Sequence, residues 1–258
     1  MKHKSFQKVL AVGIMAVASS YALQATAAPI FTFTEYGGFQ GGQVPVADYS
    51  NPVVGGAGVI PAVPVFGTMS WNTGDSPQSS LVLTTVTGPA AVAANDWTRI
   101  STLTHNNVPI SNSANWGPQN IWGRFVLTDN DGGPSVVEDD DSAVAINLIE
   151  TVNSAPCAFP TPASSVCDDF FAYTAAGLGD LLFTANDGSD WKASFRFSNF
   201  VNSAQIGNII YTAEGTTSSV DIEVFLEQVS VVPEPATLGI LGLGLLGLGM
   251  AKRRKLNS

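Results

Sequence analysis

Short runs in which apolar or β-branched residues alternate with polar ones recur along the middle of the chain. They include Phe31-Thr32-Phe33-Thr34, Ser80-Leu81-Val82-Leu83-Thr84, Trp122-Gly123-Arg124-Phe125-Val126 and Ser194-Phe195-Arg196-Phe197. Longer runs cover residues 143–151, 206–212 and 219–229, and in the last of these Val220, Ile222, Val224 and Leu226 share one face. A period of two sends successive side chains to opposite faces, so each run reads as a half-buried β-strand. Turn-forming clusters lie between them: Asn72-Thr73-Gly74-Asp75, Asp129-Asn130-Asp131-Gly132-Gly133 and Asn186-Asp187-Gly188. The body offers no ten-residue amphipathic helix pattern. The expected fold is therefore all-β, a single antiparallel β-sandwich of jelly-roll or immunoglobulin-like form. Residues 44–66 depart from the alternation, being rich in Gly, Pro, Val and Ala and nearly uncharged. They read as an extended loop lying across the sandwich, or as an apolar patch open to a partner.

The two ends follow other rules. Residues 1–8 are basic, residues 9–18 form an apolar run, and Ala25-Thr26-Ala27 supplies the small residues a signal peptidase needs, so residues 1–27 read as a secretory signal helix. At the other end residues 236–251 are almost all Leu, Gly, Ile and Ala, followed by Lys252, Arg253, Arg254 and Lys255. As a helix that stretch reaches about 24 Å, short of a hydrocarbon core of about 30 Å unless the flanking basic side chains snorkel. The basic cluster sets the orientation, with the tail cytoplasmic and the body beyond the inner membrane. The expected domains are thus 1–27, a β-sandwich body over 28–231, and a sorting tail over 232–258.

Pro233, Glu234 and Pro235 stand immediately before that apolar stretch. The order of Pro-Glu-Pro, a Gly/Leu-rich helix and a basic cluster resembles the PEP-CTERM sorting signal. The resemblance implies an exosortase in a Gram-negative bacterium that cleaves near the motif and passes the protein to the cell surface or extracellular matrix, after a transient stay in the inner membrane.

Charge narrows the partners. Between the two ends only Arg99, Arg124, Lys192 and Arg196 face twenty acidic residues, a net charge of −16. Such a body is repelled by nucleic acid and by anionic lipid surfaces, which leaves cations and neutral glycans, extracellular polysaccharide among them. Asp129, Asp131, Asp139 and Asp141, with Glu138 and Asp140, place six carboxylates in thirteen residues around a Gly turn. Alternating oxygen ligands suit calcium. No EF-hand is completed, because flanking helices and the terminal Glu are missing, so a solvated acidic hairpin loop is the competing reading.

Cys157 and Cys167, the two cysteines of the chain, form an even pair in an exported protein and are expected to be disulfide-bonded. Trp71, Trp97, Trp116, Trp122 and Trp191 serve either as core residues or as a stacking platform for sugar rings. Trp116, in a polar loop sequence, is the best candidate for exposure.

His105 is the one histidine of the mature body, and no nucleophile motif accompanies it. Thr104, His105 and Asn107, followed by Pro109 and Ile110, resemble the signature of the THxN family of PEP-CTERM proteins, as do Gly67, Ser70 and Trp71 with Ser79, Ser80 and Leu81 upstream. That family implies no activity to carry over, and the segment reads as a structural turn. The expected function is a non-catalytic structural or adhesive protein of the cell surface or matrix. The alternative is a carbohydrate-binding β-sandwich module, with or without a dependence on calcium.

Overall fold

A computed structural model describes residues 30–44, 47–53, 64–71, 77–109, 115–174 and 178–229 of the 258. The signal and anchor helices expected at the two ends lie outside these residues, as does the turn cluster at 72–75. Within them the chain forms β1 (Phe31–Gln40), β2 (Ala47–Pro52), β3 (Val65–Trp71), β4 (Ser79–Thr85), β5 (Ala90–Val92), β6 (Trp97–Asn106) and β7 (Trp116–Asp129). It continues with β8 (Ser135–Ile149), β9 (Asp169–Tyr173), β10 (Leu181–Thr184), β11 (Asp190–Val201), β12 (Ser203–Ile206), β13 (Ile209–Thr212) and β14 (Thr217–Gln228).

The runs of alternating polarity fall on these strands. Val220, Val224 and Leu226 of β14 are buried on one face, while Phe225 between them packs against Trp97 on the other. Two boundaries differ from expectation. Residues 206–212 are a hairpin, β12 to β13, turning at Gly207 with φ +57°. Part of the 44–66 stretch is a strand, since β2 pairs with β3 from Ala47↔Trp71 to Pro52↔Phe66. Alternation there is weak because most of β2 is exposed on both faces.

Every ladder between strands is antiparallel, and the expected division into two sheets does not appear: the hydrogen bonding runs without a break. The order is β10-β11-β14-β6-β4-β3-β1-β7-β8-β9-β13-β12, with β2 added to β3 and β5 to β1. Period two identifies strands and inner faces, but carries no information on whether a sheet splits or curls. This sheet curls. Strands remote in its order meet face to face: Phe125 of β7 touches Phe195 of β11 edge-on at 5.5 Å, and Phe31 of β1 meets Trp191 of β11 at 5.1 Å. Tyr173 of β9 meets Phe197 of β11 at 5.1 Å.

Two apolar clusters fill the space enclosed. One gathers Phe39, Met69, Trp71, Leu81, Trp116 and Leu148; the other Phe31, Phe33, Leu127, Trp191, Val224 and Leu226. Ile222 packs against both. Burial of side chains this large stabilises by roughly 1.5–3 kcal/mol each, which is what holds the curl against the entropy of ordering it. At Gly38 the strands come so close that a Cβ would stand 2.6 Å from the Phe66 carbonyl oxygen, so only glycine fits.

Between the clusters lies a cleft of about 280 Å³ lined by Glu35, Leu83, Ile100, Phe125, Phe195 and Ile222 among others. Glu35 Oε1 accepts a hydrogen bond from Ser101 Oγ at 2.8 Å, whereas Oε2 is enclosed without a partner. Burial outweighs the Ser101 bond and pushes the Glu35 carboxyl up from 4.5 to about 7. The folded state therefore holds this proton more tightly than the unfolded chain does. Its contribution to stability is complete below about pH 4.5 and is lost as pH rises through about 7. Glu35→Gln should match the wild type near pH 4.5 and be more stable by on the order of 3 kcal/mol near pH 8. Urea denaturation of both proteins at the two pH values checks this, and a difference that does not change with pH contradicts it.

Candidate functional site

Thr104, His105 and Asn107 do not form a turn. Thr104 and His105 lie in β6, paired with Ser219 and Ser218 of β14, and Asn107 follows directly. The strand period separates them: Thr104 is half-buried, whereas His105 and Asn107 both point inward at 2% and 3% exposure. The His105 ring stacks on Trp71 with centroids 5.5 Å apart and receives the edge of Phe171 at 5.0 Å. Its Nδ1 stands 2.9 Å from Thr212 Oγ1, and its Nε2 has no partner. Burial drives its pKa down to about 3, so the ring is neutral at physiological pH. His105 thus joins β6 to β9 and β13, strands distant in the order of the sheet.

Asn107 reaches a group of carboxylates that no local motif announces. Glu150 follows the last residue of β8, Asp169 opens β9, and Glu214 lies in the turn between β13 and β14. Their ligand atoms lie within 4.8 Å of one another, the one such acidic group among the described residues. Glu150 is 3% exposed and Asp169 fully buried. Asp169 Oδ1 accepts a hydrogen bond from Thr151 N at 2.7 Å. Asp169 Oδ2 and both oxygens of Glu150 and of Glu214 are buried without a donor. The Asn107 amide lies against Asp169 and Glu214, and Asn153 against Glu214; the Oδ1 atoms of both asparagines are buried and unpartnered as well. Trp71 Nε1 lies near Glu150 without closing an aligned hydrogen bond. Burial first, and then Asp169 and Glu214, push the Glu150 carboxyl far above the usual carboxylate range. Burial and Asp169 raise Glu214, and burial raises Asp169 against the pull of Thr151 N. Chemically this is a set of oxygen acceptors, one from each carboxylate within 4.8 Å of the others, able to hold protons or a hard cation.

Beside it, Cys157 and Cys167 form the expected disulfide, with Cα atoms 5.4 Å apart. Next in the chain, Asp168 accepts hydrogen bonds from Ala163 N at 2.6 Å and Ser165 N at 3.0 Å, bracing the same loop. Disulfide and Asp168 together fix the segment from which Asp169 projects.

The four aspartates picked from sequence are not brought together. Asp129 is buried at the β7–β8 turn, with Oδ1 accepting from Asp131 N at 2.9 Å and Oδ2 from Asn186 N at 2.8 Å. Asp131 is exposed in that turn. Asp139 and Asp141 lie up the β8 strand rather than in a loop, opposite Val126 and Arg124. Arg124 engages both oxygens of Asp139, at 2.6 and 2.5 Å. No three of the four offer ligand atoms within 4.8 Å of one another. Trp116 is also not exposed: it is buried at 7% against Trp71 and Phe171, as β7 begins with it.

The tail motif, Pro233, Glu234 and Pro235 with Lys252, Arg253, Arg254 and Lys255, lies outside the described residues. In comparison with known protein families, residues 231–255 match the PEP-CTERM protein-sorting motif. The chain ends in an exosortase sorting tail. No curated protein matches the chain. The PEP-CTERM match begins three residues after the last residue of β14, a strand inside the sheet between β11 and β6.

Glu150, Asp169 and Glu214 escaped the reading of the sequence because 18 and 44 residues separate them and only the curl unites them. The available signal was Asn107, two places after His105 and hence on the same inward face. His105→Ala should leave a void between Trp71 and Phe171 and cost about 2–4 kcal/mol, whereas Thr104→Ala should cost less than about 1 kcal/mol. Chemical denaturation of the two variants checks this; equal costs would contradict the placement of His105 in the core.

Proposed function

We propose that the chain is an exported surface or extracellular-matrix protein of the THxN type, with a non-catalytic structural or adhesive role. The observation that carries this reading is the PEP-CTERM sorting motif over residues 231–255, whose place is to route an exported precursor through an exosortase. The body suits such a destination. Its disulfide belongs to an oxidising compartment, and a sheet closed on two apolar clusters makes a durable particle rather than a hinged one. Its net charge of −16 favours remaining soluble among polymers over binding anionic surfaces.

The precursor is anchored in the inner membrane and released towards the surface. From Gln228 to Pro233 the chain reaches at most about 18 Å when fully extended, so the body rides close to the membrane until cleavage. A carbohydrate-binding role has weaker support. Trp71, Trp116 and Trp191 are buried, and the Arg196 guanidinium covers a face of the half-exposed Trp97 at 3.9 Å.

Intact mass and cell fractionation in the native host, with and without its exosortase, test the reading. The expected result is loss of the tail and appearance outside the cell only when the exosortase is present. A full-length tail retained in the inner membrane in both strains overturns it.

A further inference from the structure

We propose that Glu150, Asp169 and Glu214, with the side-chain carbonyls of Asn107 and Asn153, form a calcium site that ties the two wings of the curled sheet together. Two observations beyond the closeness of the carboxylates point to a ligand. Asn107, at 3% exposure, is not acidic, yet it is packed against Asp169 and Glu214 with its Oδ1 unpartnered. Its Nδ2 donates a long hydrogen bond to Ala213 O at 3.4 Å, and a half-turn of the amide, which gives up that bond without moving the backbone, brings Oδ1 to the cluster. Glu150 is equally buried, and neither of its oxygens closes an aligned hydrogen bond, although Trp71 Nε1 lies near. Buried polar atoms are almost always hydrogen-bonded, so seven orphaned oxygens from five side chains call for a partner of positive charge.

The donor set selects the ion. One oxygen from each of the three carboxylates lies within 4.8 Å of the others, and their second oxygens with the two amide oxygens extend the set towards the six to eight oxygens that calcium takes at about 2.3–2.6 Å. Neither thiolate nor imidazole belongs to the set, which disfavours zinc. Magnesium holds its water and requires a strict octahedron, so a site built from carboxylate and amide oxygens of four separate segments suits it poorly.

The ligands come from both wings. Asn107 extends β6 and Glu214 leads into β14, neighbours at one side of the sheet's order. Glu150 directly follows β8 and Asp169 opens β9, on the far side of β1 and β7. Extracellular calcium modules work with affinities of about 0.1–1 mM, which sets the concentration to test.

The test uses the full-length chain in detergent, stripped with chelator and then given calcium at about 5 mM. Calcium should raise the melting temperature by about 3–6 °C at neutral pH. Glu150→Gln and Asp169→Asn should fold and lose this shift, and each should melt above the calcium-free wild type because a buried repulsion has been relieved. Asp131→Asn, in the exposed hairpin, should keep the full shift. Terbium luminescence sensitised through the nearby Trp71 should appear in the wild type, fall as calcium displaces terbium, and be absent in Glu150→Gln. The proposal is overturned by no calcium shift in the wild type, by a shift of equal size with magnesium, or by a shift that survives Glu150→Gln.

Discussion

A curled sheet has to be held shut, because twist alone does not bring strands from opposite ends of its order into contact. Here the closure is made by side chains crossing from β6 and β14 to β8, β9 and β13. His105 is the apolar half of that contact: a neutral ring wedged against Trp71 and Phe171 and hydrogen-bonded to Thr212. Asn107 leads into the polar half, where three carboxylates converge with most of their oxygens unpaired. Closing the apolar half forces the polar half together. Bare carboxylates so close repel and lose hydration, a cost of several kcal/mol that protons or a cation must offset.

The disulfide and the Asp168 turn take their meaning from the same contact. Both act on the loop between β8 and β9, and so fix the distance from Glu150 at one end to Asp169 at the other. On physical grounds a loop that carries two of three charged groups needs such bracing, or the repulsion would open it. In sequence the PEP-CTERM motif follows the end of β14, whereas Glu214 precedes its start.

Much of this fold was legible in the alternation of residues, since a half-buried strand has to present apolar side chains at every second place. Phe31, Phe33, Val220, Val224 and Leu226 are inward for that reason. The disulfide was legible from its compartment and parity, and the tail from three ordered parts. What failed were inferences that depend on neighbours. Trp116 has polar residues beside it in sequence but Trp71 and Phe171 beside it in space. Asp139 stands in an acidic run, yet the register of β7 and β8 brings it to Arg124. Glu150, Asp169 and Glu214 share no spacing because the sheet's closure, and not the local chain, assembles them. The motif containing His105 and Asn107 was visible, but its purpose depends on what lies across the curl.

The most direct measurement is a crystal structure of the protein grown with calcium, with anomalous scattering data collected to locate the ion. The expected result is a calcium peak bonded at about 2.3–2.6 Å to carboxylate oxygens of Glu150, Asp169 and Glu214 and to Asn107 Oδ1. A pocket without a peak, its carboxyl groups hydrogen-bonded to one another through shared protons, would contradict it.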